Sequence, residues 1–368
     1  MSSMLTTKII LGAGSVDPVC SAIAFHPSGD WIVSSSIQRE KLTVIRCDSG
    51  EFKHVEGIAK KASSISFSNS GNFFVAVSEP EILFWKWHER GAVDCVGRVA
   101  TPFQLETYGD VPMLPVREDN VWIFGSDKWV LWSVRDCKSL VSLEIARDEL
   151  VVWIGHDPSG NPIAITYDQH LVNNSQMTLS VVDLNSAEIR GSIPTYEWNE
   201  AIVSIDGKHV VLQGKEDRIG IWDLGKCRKI HSVEDVPIGQ SGFLCQFCAD
   251  NEHIISTKWN DGMVPIHFTN VFSGDRKVWN TKFPFPPSIR TSTNSNILAA
   301  YASDRRHPID CTQFLDVDSL EVIAESTGHA GHGLFSPCRK WFASVSNESE
   351  WAVNPQPSGT VRITRLDF

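Results

Sequence analysis

The two spacings most suggestive of chemistry are Cys245-Gln-Phe-Cys248 and His329-Ala-Gly-His332. Two thiolates three residues apart make half of a zinc site when a tight turn brings them together. Here the flanking pattern predicts a strand, on which residues three apart face opposite sides, so packing thiols are expected and not ligands. The two imidazoles lie in a glycine-rich connection where His307 could join them around an ion. No carboxylate accompanies them, and no metal site is assigned. A Gly-x-Ser-x-Gly elbow, a phosphate-binding glycine loop, a dinucleotide fingerprint and a His-Glu-x-x-His helix are all missing from the sequence. The expectation is a protein with no catalytic residues, no metal and no cofactor. An enzyme whose site is gathered from dispersed residues at the mouth of a central channel is the alternative.

The bulk numbers set the background. The chain has 368 residues, 42% hydrophobic and 21% charged, the balance of a folded globular protein. Lys plus Arg is 33 and Asp plus Glu is 44, a formal charge of −11. An acidic surface repels phosphate backbones, so nucleic acid is not expected as a partner and a basic protein is favoured. Nine cysteines (20, 47, 95, 137, 227, 245, 248, 311, 338) follow no disulfide framework. The start, MSSMLTTKII, lacks a charged n-region, and no run of about 18 apolar residues could span a membrane. These features point to free, mostly buried thiols in the cytoplasm, with the nucleus as the other compartment, and to no membrane partner. The sequons at Asn173 and Asn347 are then chance matches. Thirteen Trp against four Tyr call for a periodic explanation.

A repeat supplies it. The segments VIRC (44–47), FWKW (84–87), LWSV (131–134), VVDL (181–184), IWDL (221–224), FTNV (268–271), FLDV (314–317) and ITRL (363–366) occupy one slot, spaced 40–50 residues apart. Upstream of most slots lies a hairpin: AIAFHPSGDWIVSSS (22–36), SISFSNSGNFFVAVS (64–78) and VVWIGHDPSGNPIAITY (151–167) are the clearest. Fainter copies lie at 202–214, 244–258 and 333–346. Their Gly and Asn supply the positive φ that such turns need. Each repeat therefore offers three strands, and the linker to the next supplies a fourth.

Strand, Ser-Gly-Asp-like turn, small-residue strand, Asp-bearing turn and a strand ending in Trp-Asp resemble the WD-repeat family. The resemblance covers nearly the whole chain, from about Thr6 to Phe368. It implies one all-β domain over residues 1–368, a closed β-propeller of eight four-stranded blades. A seven-bladed ring is the alternative, because 101–120 reads poorly as a strand. It also implies that TTKIILG (6–12) completes the last blade as its outer strand, removing a sheet edge. Only Trp222-Asp223 keeps the signature dipeptide. Gly328-His329 is similar to the family's Gly-His pair, but Thr364 stands where that repeat's Trp belongs. The His–Ser–Trp–Asp network is thus incomplete there, and apolar packing must replace it. By the same resemblance His329 is structural, and Asp168, Asp217, Asp261 and Asp304 hold turns and do not act as acids.

In family propellers the connections between strands one and two, and three and four, share one face. That class is short here (HPSGD, SNSG, CDSGE, DLNSAE, DLGKC). The other class holds the extra length: 167–177, 258–265, 303–310 and 347–359 between strands two and three, and 194–200 and 283–288 between blades. Length without structural need is more often functional. These loops contain Trp198, Trp259, Phe285, Arg305, Arg306, His307 and Trp351, which include the residue types enriched at interface hot spots. The expected function is a non-catalytic interaction platform, monomeric by itself, that binds a protein or peptide on the long-loop face. A stoichiometric, antitoxin-like inhibitor of a basic protein is a narrower version.

Overall fold

A computed structural model describes residues 7–10, 20–36, 41–58, 62–78, 80–103, 111–145, 149–168, 177–195, 201–213, 218–238, 242–258, 263–284, 286–293, 295–301, 311–327, 332–345 and 361–366. Among these residues the regular structure is 32 β-strands and a single short 3-10 turn, Glu89–Gly91. The strands make eight antiparallel sheets of four. The fold is all-β, an eight-bladed β-propeller, and the seven-bladed alternative falls away.

Seven blades are simple meanders, at 20–56, 64–100, 113–144, 149–195, 201–233, 242–280 and 288–327. The eighth takes three strands from 332–365 and its outer strand from Thr7–Ile10. That strand pairs antiparallel with the last, Thr7 opposite Thr364 and Ile10 opposite Val361. The N-terminal strand is where the repeat argument placed it.

The chain divides into two compact units, each described by itself. The first, Met1–Arg147 with Ser303–Arg305 and Glu325–Phe368, holds blades one, two, three and eight. The second, Asp148–Ala302 with Arg306–Ala324, holds blades four to six and most of seven. Within each unit consecutive blades pack face to face, so second strands are covered on both sides. Phe73–Ser78 and His209–Gln213 are buried throughout, which is why they read as continuous apolar runs. In the first unit Trp85 and Phe74 stack 5.8 Å apart in the cluster joining blades one and two. The indole N–H groups of Trp85, Trp132 and Trp341 are buried with no hydrogen-bond partner among the described residues. Their tryptophans serve as apolar mass. Outer strands are exposed and charged, as in Lys138–Glu144, which blunts a sheet edge.

One hydrogen bond recurs in every blade. The last residue of each slot donates its N–H to a carbonyl at the entry to the second strand: Cys47 to Asp30, Trp87 to Asn72, Val134 to Asp119 and Leu366 to Lys340 in the first unit. In the second unit Leu184 donates to Pro162, Leu224 to Lys208, Val271 to Glu252 and Val317 to Asn296. Seven of the eight donors are buried, Trp87 being the half-buried exception.

Candidate functional site

At the short-turn ends of the blades, polar groups are used to join the scaffold. In the first unit, burial pushes the His26 pKa down, leaving a neutral ring. Its Nε2–H donates to the Gly71 carbonyl at 3.2 Å, and its Nδ1 accepts from the Ser28 N–H at 3.1 Å. Blade one is thereby joined to blade two. Asn69 reaches the Val116 carbonyl at 3.2 Å, and Ser70 donates to Asp119, joining blades two and three. In the second unit the Asp206 N–H donates to Asn251 at 3.1 Å, joining blades five and six.

Blade four holds the densest ionic cluster. Arg190 donates to Asp183 at 2.7 Å through Nε and to Asp157 at 2.6 Å through Nη1. Burial works to raise both carboxyl pKa values. The hydrogen bonds from Arg190 and neighbouring backbone N–H groups outweigh it, and both stay below the usual range. Arg190→Lys keeps the charge but loses the planar fork. We expect urea unfolding to show a loss of about 1–2 kcal/mol. A Lys variant as stable as the parent would refute the fork.

The opposite strand ends carry the long connections. Around blade six, in the second unit, their base is rigid. Val264 donates to the Phe283 carbonyl at 2.8 Å, Thr281 Oγ1 to the Val264 carbonyl at 2.7 Å, and the Phe283 N–H to Thr281 Oγ1 at 3.0 Å. All three residues are buried. Val264, at the end of the loop 258–265, is therefore fixed against Phe283, at the start of the link 283–288. Next to Val264, Met263 stands 64% exposed, the largest exposure of any big apolar side chain among the described residues. A flexible thioether held out from a fixed base suits adaptable apolar contact.

Trp198, Trp259, Phe285, Arg305, Arg306, His307 and Trp351 lie outside the described residues, as do His329, Asp217, Asp261 and Asp304. Asp168 and His332 are placed by their backbones, at the ends of Pro162–Asp168 and His332–Phe335. The sequence alone did not single out Met263, Val264, Thr281 and Phe283. An apolar Met beside a polar Asp-Gly turn was the available signal.

The cysteine pair departs from expectation in one respect. A bulge between Leu244 and Gln246 shifts the register at Cys245. Cys245 and Cys248 therefore meet the same apolar cluster between blades six and seven, not opposite faces. Burial raises the Cys248 thiol pKa strongly. The side chains of eight cysteines are described, and three of them, Cys47, Cys248 and Cys311, are buried. Cys137 and Cys227 pack against Gly97 and Gly191 of the preceding blades, where a Cβ would meet sulfur. Among the described residues no group of three His, Cys, Asp or Glu side chains could hold a metal ion. No helix of the described residues is long and apolar enough to cross a membrane.

Besides the four turn positions named above, an Asp or Asn recurs at a second place. The third residue of the slot is Asp183, Asp223, Asn270 and Asp316 in blades four to seven. Each side-chain oxygen accepts from the N–H groups of the following turn. In blades one and eight the same position is Arg46 and Arg365, whose guanidinium groups lie over Trp31 and Trp341 at 5.8 and 5.9 Å. No family model matches the chain, and no curated protein matches it.

Proposed function

We propose that the protein is a non-catalytic WD-repeat-like interaction platform that binds a protein or peptide through its long connections. The observation that supports this most is the blade-six arrangement. A buried, hydrogen-bonded base of Val264, Thr281 and Phe283 adjoins an exposed Met263, and in the sequence Trp259 and Phe285 lie within a few residues of that base. Rigid support with adaptable apolar tips is what an interface anchor needs. The net charge of −11 favours a basic partner, and association with it slows as salt rises.

Affinity purification with the intact chain, repeated with Trp259→Ala, Met263→Ala and Trp351→Ala, tests the proposal. A shared partner lost on truncation is expected, with about 2 kcal/mol or more of binding lost at an anchoring Trp. The melting temperature should hardly move, since a loop tip leaves no cavity. Truncations that lower the melting temperature and leave the partner bound would assign these residues to blade capping instead.

A further inference from the structure

The short-turn side of blade one carries a cleft that the interaction platform does not use. It encloses about 200 Å³ and is lined by Trp31, Val44, Phe52, Lys53 and Arg90, with Arg46 and Glu51 at its rim. All of these residues belong to the first unit. That volume is below the roughly 300–1,000 Å³ of drug-sized sites, so it admits one ring and one small polar group.

The cleft exists because two turns meet. The 3-10 turn Glu89–Gly91 of blade two lies against Trp31 of blade one. Gly91 has φ +68, and a Cβ there would stand 2.7 Å from the Trp31 ring. Arg90 beside it also takes a positive φ, 58°, unusual for a residue other than Gly, Asn or Asp. This backbone sets the Arg90 guanidinium at the cleft.

Arg46 is occupied, since its fork is held by Asp48 at 2.8 and 3.0 Å. Among the described residues the side chains of Lys53 and Arg90 make no hydrogen bond or close ion pair. Burial pushes the Lys53 ammonium pKa down, so its charge is under-solvated in the free protein. In a chain of net charge −11, the half-buried Lys53, with the Glu51 carboxylate acting on it, and the exposed Arg90 line one small space whose other walls are Trp31, Val44 and Phe52. A single carboxylate would pair with one of them. A phosphate monoester has a charge of about −1.5 to −2 at neutral pH and three acceptor oxygens, enough for both.

We infer that this cleft binds a phosphate monoester on a short apolar stem, the oxyanion between Lys53 and Arg90 and the stem against Trp31 and Phe52. The same chemistry arises from a small organic phosphate or from a phosphorylated side chain.

Calorimetric titration of the full chain with phenyl phosphate, inorganic phosphate, benzoate and a short phosphotyrosine peptide tests this. Phenyl phosphate should bind, with inorganic phosphate and benzoate weaker. Lys53→Gln and Arg90→Asn, the latter tolerant of positive φ, should each weaken it about tenfold without altering the melting temperature. Glu51→Gln should tighten it, because the removed charge repels the ligand. A peptide tighter than phenyl phosphate assigns the source to a phosphorylated residue, and equal affinity assigns it to a small molecule. No heat with either phosphate ester, or binding that survives both cation variants, would overturn the inference. The platform proposal is independent of every one of these outcomes.

Discussion

Deleting residues 1–12 should lower the melting temperature sharply and turn the protein into an aggregating one. Among the described residues, Thr7–Ile10 is the only hydrogen-bonded neighbour of Val361–Arg365 on that side of the eighth blade. Without it the backbone of Val361, Arg362, Ile363 and Thr364 presents unpaired groups along a strand whose Val361, Ile363 and Thr364 side chains are buried. Losing four residue pairs, with about four net hydrogen bonds at about 0.5–1.5 kcal/mol each, removes roughly 2–6 kcal/mol. The bare edge is also a template for another chain. Thermal unfolding and light scattering on the truncated chain are the measurements. A truncation that stays in solution with an unchanged melting temperature would show that the strand is dispensable. A peptide of residues 1–12 added in trans should restore part of the lost stability if pairing alone is responsible.

The second large effect is expected at Asp119. Its side chain is 3% exposed and accepts from Arg135 at 2.9 Å and from Ser70. Burial works to raise its pKa; hydrogen bonds from Ser70, Arg135 and Ser68 overcome that, and the carboxyl stays below its ordinary range. Asp119→Ala removes the acceptor that Ser70 and Arg135 share and places Ala at φ 58°, for a loss of about 3–4 kcal/mol. Asp119→Asn keeps the shape and the tolerance of positive φ, so it isolates the charge and should cost about 1–2 kcal/mol. Because the folded pKa is depressed, the contribution is complete above the unfolded value of about 3.9. It disappears as pH falls from there through the folded pKa. The gap between parent and Asn variant in urea unfolding should therefore be constant near neutrality and close in acid. A gap independent of pH down to strong acid would remove the carboxylate from the explanation.

Most of the architecture was legible because period-two alternation and Ser-Gly-Asp turns are local signals. The third-strand slot could be followed through all eight repeats, from VIRC to ITRL. Two hairpins escaped. In blade three the turn between Met113–Val116 and Asn120–Phe124 uses Glu118 and Asp119 at φ 61° and 58°, with no glycine to mark it. In blade seven, Ser288–Thr291 and Ile297–Tyr301 are joined through a Ser- and Asn-rich stretch that also lacks glycine. The bulge at Cys245 was unreadable because one extra residue reverses the alternation and leaves the composition unchanged. The blade-six base was hidden for another reason. Thr281, Val264 and Phe283 meet across 17 residues and more, and nothing in the sequence shows that separation being closed.

The hydrogen bond repeated at the end of each slot has a further consequence. Both of its ends are main-chain atoms, donated by residues as different as Cys47, Trp87 and Leu366 and accepted by Asp30, Asn72 and Lys340. A fastening that asks for no particular side chain lets inheritance erase the lettering of a repeat while its geometry persists. Eight blades can then share one geometry while the slot ends in Cys47, Trp87 or Leu366.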